Sequence, residues 1–357
     1  MAYLGYRIPS TMRIVPFALF CLLCLWGTST SVQGQEHWAR RVGAWSNDAY
    51  NAIVVDGQGS MYVIGEFGLT VNAGGTILSS AGSTDILVAK YDAQGNIVWA
   101  RSFGGPGLDR GIALALGPDG GLAIVGQFMG EVTMGSDVLS SAGGTQDVFV
   151  AYLDDANGAV LWARQAGGPD GVDQPSGVSV SADGDIAVTG EFRGNAIFGG
   201  TTLTSVLDPD DGLPSVDIFV VSYSADGSMQ WVKHGAAKYA DRGVDLVHDA
   251  AGNIYVTGQF SDTLTFDLTH NTSLYSAVFI VRFSPQGTEE WFSVMGGGTY
   301  NNVFDIDLMQ EDALLLTGDI QGTVIFLDTE GTDLFTAVAP RSSFGSRSTS
   351  RVNSFGS

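Results

Sequence analysis

Acidic side chains dominate the chemistry available to this sequence, and one group of them is tightly clustered. Asp208, Asp210 and Asp211 lie within a single insertion between two apolar segments. Carboxylate oxygens presented by one loop are the ligands that Ca²⁺ prefers. The insertion is therefore a candidate calcium site. The alternative is a rigid, solvated loop without a bound ion.

A second set of aspartates recurs along the chain instead of clustering. Each follows a glycine-rich stretch and precedes an apolar run, and the set is Asp48, Asp109, Asp173 and Asp241. These carboxylates could line a cation-binding rim, or they could accept hydrogen bonds from backbone amides in connecting loops. Catalysis needs one asymmetric constellation, whereas a fold needs the same residue in every unit. We therefore expect a structural role and predict no catalytic residue.

Five tryptophans mark the same repeat at intervals of roughly 60 to 70 residues, namely Trp38, Trp99, Trp162, Trp231 and Trp291. An indole can stack on a ligand, but a ring that recurs once per repeat is expected to pack between neighbouring repeats. The histidines His37, His234, His248 and His270 share no metal-ligand spacing and match no catalytic motif. The recurring residues therefore indicate architecture more than chemistry.

Each repeat has the pattern of four antiparallel strands. In one unit, apolar runs alternate with turn signals such as Gly117–Gly120, and a short hairpin is expected around Val132 and Leu139. The sequence thus predicts an all-β fold, a β-propeller of about five four-stranded blades spanning residues 35–338. The repeats lie near 38–98, 99–161, 162–230, 231–290 and 291–338.

The two ends of the repeat region predict how the ring closes. The segment His37–Val42 resembles a fourth strand without its first three, and the last repeat has three strands ending with Asp333–Val338. The N-terminal strand is therefore expected to complete the last blade and remove two exposed edges. A larger ring with missing sequence is the alternative. Residues 339–357, rich in serine and arginine, are expected to be a disordered tail or a truncated end.

Residues 1–34 have the pattern of a signal peptide. Two arginines precede the apolar run Ile14–Trp26, which is shorter than the ~20 residues needed to span a bilayer, and an N-terminal membrane anchor is the alternative. Both cysteines, Cys21 and Cys24, lie within this leader, so the mature chain would have no disulfide and no membrane span. A net charge of −22 argues against nucleic acid as a partner. The sequence predicts a monomeric bacterial protein that is secreted or held at the cell surface.

Three segments resemble the bacterial secreted β-propeller repeat family called SBBP: Glu191–Gly199, Asp217–Val221 and Asp249–Phe260. The resemblance implies an extracellular propeller and brings no catalytic residues. Leu153–Trp162 is more weakly similar to the tryptophan-docking repeat of quinoprotein propellers, which use a quinone cofactor and calcium. We expect a non-catalytic module that binds or scaffolds a protein or glycan. A polysaccharide-acting or degenerate quinoprotein-like enzyme, and a fragment of a larger surface protein, remain alternatives.

Overall fold

The computed structural model describes residue 43 and residues 48–271, 277–296, 300–308, 314–327, 333–339 and 350–352. At residues 271 and 300, and from 320 onward, only the backbone is described. The described residues form strands and turns without any helix, and so no apolar helix that could span a bilayer. The predicted signal peptide, Trp38 and the predicted closing strand His37–Val42 lie outside the described residues.

Strands are grouped into successive repeats. The first contains β1 (Ala49–Val55), β2 (Met61–Phe67), β3 (Thr70–Ala73), β4 (Thr76–Ser79), β5 (Asp85–Tyr91) and β6 (Ile97–Phe103). The second contains β7 (Arg110–Leu116), β8 (Leu122–Met129), β9 (Glu131–Met134), β10 (Asp137–Ser140), β11 (Gln146–Leu153) and β12 (Val160–Gly167).

The third repeat contains β13 (Gln174–Val180), β14 (Ile186–Arg193), β15 (Asn195–Phe198), β16 (Thr201–Thr204), β17 (Val216–Tyr223) and β18 (Met229–Ala237). The fourth contains β19 (Arg242–His248), β20 (Ile254–Phe260), β21 (Thr263–Thr265), β22 (Thr269–Asn271), β23 (Ala277–Phe283) and β24 (Glu289–Gly296). The last described strands are β25 (Tyr300–Leu308), β26 (Leu314–Leu327), β27 (Asp333–Ala339) and β28 (Ser350–Val352).

Each of the first four repeats forms the same antiparallel sheet of four strands, such as β1–β2–β5–β6. A hairpin leaves each sheet between its second and third strands. In the second repeat Val132 lies opposite Leu139, which confirms the predicted hairpin. In later repeats this hairpin pairs with the fourth strand of the repeat before it, as β15 does with β12 and β21 with β18. Backbone hydrogen bonds therefore join neighbouring repeats.

Apolar packing between sheets explains why the strand sequences are apolar at nearly every position. The second and third strands of each sheet are buried on both faces, as in β8 and β11. One core cluster joins Val148 and Val150 of the second repeat to Val178 and Val188 of the third. Burying such a side chain stabilises the fold by about 1.5–3 kcal/mol. The first strands β1, β7, β13, β19 and β25 lie side by side in this order.

The last repeat differs from the prediction. We expected Asp333–Val338 to be its third strand, but β27 pairs with Gly322–Leu327, the far half of β26. That half of β26 also pairs with β24, so it occupies the position of the hairpins in earlier repeats. The third-strand position is taken by β28, which pairs with Leu314–Leu316 and lies within the predicted tail. Apolar content favoured the wrong segment because hairpin and sheet strands are both apolar here.

The structure thus confirms an all-β repeat protein of antiparallel sheets. The number of blades and the closure of a ring stay predictions, and no sheet closes on itself among the described strands.

Candidate functional site

The recurring aspartates lie in the loops that connect one repeat to the next, where they accept hydrogen bonds from backbone amides. Asp109 is fully buried and accepts from the amides of Gly105 at 2.7 Å and Met129 at 3.1 Å. Asp173 makes the equivalent pair of contacts in the next repeat. The amide of Gly68 donates to Asp48, and that of Ser261 donates to Asp241. These carboxylates therefore face the backbone and not a common ligand site.

The tryptophans contact the following repeat at the turn between its third and fourth strands. The indole nitrogen of Trp99 donates to the carbonyl of Asp155 at 2.8 Å. Trp162 donates to Ala225 and Trp231 to Pro285 in the same manner, both at 2.9 Å. A glycine lies against each of these rings, and at Gly227 an added Cβ would come within 2.6 Å of Trp162. The half-buried Trp291 packs against an apolar cluster of the fourth and fifth repeats.

A cavity of about 450 Å³ lies at the contact of the first two repeats, on the side of the molecule that carries these turns. We call it the turn-face cavity. Three carboxylates line it, from the turn after β1, the turn after β7 and the turn after β11, namely Asp56, Asp119 and Asp155. The glycine-rich turns keep side-chain bulk away from the opening, and Gly120 adopts φ 86°, which other residues rarely adopt.

Asp155 is clamped by the first repeat. Its Oδ1 accepts hydrogen bonds from the hydroxyl of Tyr62 and from Nζ of Lys90, the latter at 2.6 Å. Together with the indole bond to its carbonyl, these contacts fix the side chain at the cavity wall. Lys90 neutralises only one of the three carboxylates, so the cavity retains negative charge.

The other two carboxylates are held in their charged form. The hydrogen bond from the Tyr152 hydroxyl lowers the pKa of Asp119, and the amide of Gly121 contributes in the same direction. At Asp56, partial burial acts to raise the pKa, but hydrogen bonds from Ser60 and Gln58 outweigh it and lower the pKa. Ionised carboxylates without an adjacent nucleophile suit the binding of cationic groups, not proton transfer.

Sequence reasoning missed this cavity because its acidic turns were interpreted only as hairpin chemistry. A signal was nevertheless present. The position of Asp155 is taken by Ala225 and Pro285 in the next two repeats, where the tryptophan contact is the same. A charged residue at a position where later repeats have uncharged ones does not follow from the repeat itself, and the contacts of Asp155 with Tyr62 and Lys90 are specific to the first two repeats.

Two further aspartates that do not recur in every repeat lie on the first strands of the fourth and fifth repeats. Asp245 and Asp305 occupy the same register position in β19 and β25, where earlier repeats have Ala113 and Gly177. Burial and a hydrogen bond from Asp305 raise the pKa of Asp245 well above its ordinary value. Gly177 leaves room for this carboxyl, since an added Cβ would lie 2.5 Å from its Oδ1. The two carboxyl groups therefore lie close together at the contact of adjacent repeats.

The acidic insertion forms a compact loop. The amide of Asp208 donates to the carbonyl of Leu213, and the amide of Gly212 donates to the carbonyl of Asp208, both at 2.8 Å. The side chains of Asp208 and Asp211 accept from amides of Asp210 and Leu213. Within the part of the chain that the structure describes, no group of three or more metal-ligating side chains occurs. The calcium site at Asp208, Asp210 and Asp211 stays a prediction.

The described histidines lie apart. His234 is 2.6 Å from Oδ2 of Asp217. His270 contacts Glu289 and stacks on Phe292, with ring centroids 3.6 Å apart. His248 contacts Ser179 at 3.0 Å, and burial lowers its pKa to about 4.

Comparisons with known proteins give distant matches of diverse description. No protein-family model matches the chain. It is 24% identical over 210 residues to an uncharacterized WD repeat-containing protein, L264, of Acanthamoeba polyphaga mimivirus, covering 50% of this chain and 14% of that protein. It is 27% identical over 205 residues to the regulatory protein FlaEY of Caulobacter vibrioides, covering 56% of this chain and 20% of that protein. The chain thus matches only a small part of either relative.

Among solved structures, a protein of unknown function from Bacteroides caccae covers 77% of this chain and 73% of its own, at 10% identity and a TM-score of 0.37. The quinohemoprotein alcohol dehydrogenase of Comamonas testosteroni covers 76% of this chain and 43% of its own, at 14% identity and the same TM-score. At these TM-scores the likenesses carry no argument about fold or function, so function must be argued from the chain's own residues.

Proposed function

We propose that this chain is a non-catalytic binding module that recognises a basic segment of a partner protein at the turn-face cavity. The observation that carries the proposal is a cavity of about 450 Å³ lined by three carboxylates, of which Lys90 neutralises one. This volume lies within the range of about 300–1,000 Å³ that is usual for ligand sites. A net charge of −22 adds long-range attraction for a basic partner.

A peptide array graded in lysine and arginine content, run beside a glycan array, tests the proposal. We expect basic peptides to bind, with an affinity that falls as salt rises. Asp119→Asn should weaken binding by about tenfold, since each lost charge contact is worth about 1–2 kcal/mol. Asp249→Asn is the matched control, because Asp249 closes the equivalent turn of the fourth repeat but lies away from the cavity. Equal binding by both variants, or binding of neutral glycans alone, would contradict the proposal.

The proposal includes a closed five-bladed propeller. Ile53 on β1 is 62% exposed, whereas its register equivalents Leu246 and Ile306 are each 3% exposed. Those equivalents are covered by the preceding repeat, so a sheet completed by His37–Val42 would cover Ile53 in the same way. Ile53→Asp should then destabilise the protein as strongly as Leu246→Asp. A negligible effect of Ile53→Asp would argue against closure.

The proposal also places the protein outside a bacterial cytoplasm, as an SBBP-type repeat protein exported by residues 1–34. The body of the chain has no cysteine with which to form a disulfide. Fractionation of expressing cells, with and without residues 1–34, tests export. Retention of both forms in the cytoplasm would end this part of the proposal.

One observation favours a second function. Asp245 and Asp305 come from different repeats and share a hydrogen bond, the arrangement in which one carboxyl can act as an acid and its neighbour as a base. This would suit an enzyme acting on polysaccharide. Turnover of a polysaccharide panel that disappears in Asp245→Asn but not in Asp119→Asn would support it, and no turnover would leave the binding module as the function.

A further inference from the structure

Buried aspartates meet in pairs where consecutive repeats join. Each pair combines the residue that opens a third strand with the recurring aspartate that precedes the next repeat's first strand. The pairs are Asp85 with Asp109, Asp147 with Asp173, and Asp217 with Asp241. All six side chains are at most 3% exposed. We call these the junction pairs.

The first junction pair is fully satisfied by backbone amides. The amide of Ala81 lies 3.1 Å and 3.0 Å from the two oxygens of Asp85. The two oxygens of Asp109 accept from Gly105 and Met129, as described above. Four carboxylate oxygens at this junction therefore have donors, which stabilise negative charge without a bound proton.

The other two junction pairs contain oxygens without a donor. Oδ1 of Asp147, Oδ1 of Asp217 and Oδ2 of Asp241 are buried and have no hydrogen-bond partner. At the second junction both carboxyl groups flank one backbone position. A Cβ added at Gly167 would lie 2.8 Å from Oδ1 of Asp147 and 2.8 Å from Oδ2 of Asp173.

Two buried carboxylates side by side destabilise the fold in two ways: each loses its hydration, and the two negative charges repel each other. A proton on one of them removes its charge, and with it the mutual repulsion and most of the cost of lost hydration. A divalent cation would also neutralise the pair, but Ca²⁺ takes about six to eight oxygen ligands. No set of three metal-ligating side chains surrounds either pair in the described chain. A proton needs neither space nor further ligands.

We propose that the Asp147–Asp173 and Asp217–Asp241 pairs each retain one proton at neutral pH, and that this proton helps to hold neighbouring repeats together. The ionisation of the pairs agrees with this geometry. Burial, with a smaller contribution from the neighbouring carboxylate, raises the pKa of Asp173 to about 7 and that of Asp241 to about 8. At the first junction the same causes raise the pKa of Asp109 to about 6, the value to which burial also raises the pKa of Asp147 in the second pair.

Other titratable groups lie beside the pairs. At the third junction Nε2 of His234 lies 2.6 Å from Oδ2 of Asp217, which is not the oxygen without a partner, while Lys238 is engaged 2.8 Å from Asp262. At the second junction Asp170 acts on Asp173 in the same direction as Asp147, because it adds a further negative charge. Arg193 offers Asp173 its backbone amide, and its side chain is exposed.

The sign of the pH effect follows from the raised pKa values. An aspartate whose pKa is higher in the folded than in the unfolded chain stabilises the fold fully below its ordinary value near 4, and this stabilisation is lost as pH rises through the folded value. For Asp241 the loss extends from about pH 4 to about pH 8. This acidic protein should therefore be more stable at pH 5 than at pH 8.

Urea unfolding of the whole chain between pH 4 and pH 9 tests the proposal. In wild type the unfolding equilibrium constant should rise by up to about tenfold per pH unit for each pair that loses its proton. Asp241→Asn should flatten this dependence, because the neutral amide carries no titrating proton while its oxygen still accepts from the amide of Ser261. Asp147→Asn should act likewise at the second junction.

Asp109→Asn is the matched control. Both oxygens of Asp109 accept from amides, so its NH₂ group would oppose a donor and destabilise the fold at every pH. An infrared carbonyl band of a protonated carboxyl at pH 6, lost in Asp241→Asn, provides a second readout that does not depend on unfolding. Equal pH dependence of wild type and Asp241→Asn would overturn the proposal. So would restoration of wild-type stability at pH 8 by Ca²⁺, since the pair would then hold a cation.

Discussion

Asp119 of the turn-face cavity and Asp173 of a junction pair are the same residue type, but their pKa values are shifted in opposite directions. Hydrogen bonds from Tyr152 and Gly121 lower the pKa of Asp119, which is exposed. Burial raises the pKa of Asp173 to about 7, and Asp173 is fully buried. The first group is available to an external cation, and the second serves the contact between repeats.

Recurrence in the sequence separates these two groups. The junction aspartates occupy equivalent positions in successive repeats, and each contacts the backbone of its own connection. Asp155, by contrast, is charged, whereas the equivalent position holds Ala225 in the third repeat and Pro285 in the fourth. A residue that recurs in every repeat therefore indicates a structural role, and a residue that occurs in one repeat alone indicates a local role.

The largest effect is expected from a recurring tryptophan. Trp162→Ala removes a ring that is 7% exposed, together with its hydrogen bond to Ala225. Large-to-small changes of this kind cost about 3–5 kcal/mol. Urea unfolding should show this loss, while the affinity of the folded variant for basic peptides stays within twofold of wild type. A loss of affinity without a loss of stability would break the distinction between the two regions.

A smaller effect is expected at a junction aspartate. Asp173→Ala leaves the amides of Gly168 and Arg193 without their acceptor. A buried donor left unpaired costs about 1–3 kcal/mol. The free energy of unfolding measured at pH 5 should fall by about that amount. A variant more stable than wild type would show that burying the carboxyl group destabilises the fold by more than its hydrogen bonds to the two amides stabilise it.

At the turn-face cavity, stability and binding should respond in the opposite way. Asp119→Asn removes charge from an exposed side chain, so its unfolding free energy should stay within about 0.5 kcal/mol of wild type. Its affinity for basic peptides should nevertheless fall by about tenfold. Calorimetric titration at low and physiological salt measures this difference, and an unchanged affinity would remove Asp119 from the site.

The smallest effect is expected at the insertion. Its carboxylates already accept from amides of the same loop. We expect millimolar Ca²⁺ to leave the melting temperature of wild type unchanged, as it should that of a variant with Asp208, Asp210 and Asp211 replaced by asparagine. A Ca²⁺-dependent rise in wild type alone would establish the predicted calcium site instead.

Much of the fold follows from sequence periodicity because its causes are local. Turn glycines, apolar runs and one tryptophan per repeat predict antiparallel strands, and Val132 lies opposite Leu139 as expected. The prediction for Asp333–Val338 is wrong, since the apolar content of a sequence does not distinguish a hairpin strand from a sheet strand. The choice between them depends on pairing with β24, a distant segment.

The candidate site was less predictable for the same reason. Asp56, Asp119 and Asp155 are far apart in the sequence, and only the contact between the first two repeats brings their turns together. The proximity of Asp245 and Asp305 likewise depends on two first strands lying side by side.

A carboxyl-carbon NMR titration of the aspartates measures both states in one experiment. Asp241 and Asp173 should change protonation near pH 8 and pH 7, while Asp119 should remain ionised below its ordinary value of 3.8. If the three residues instead titrate together near pH 4, the buried and exposed carboxylates do not differ, and the account fails.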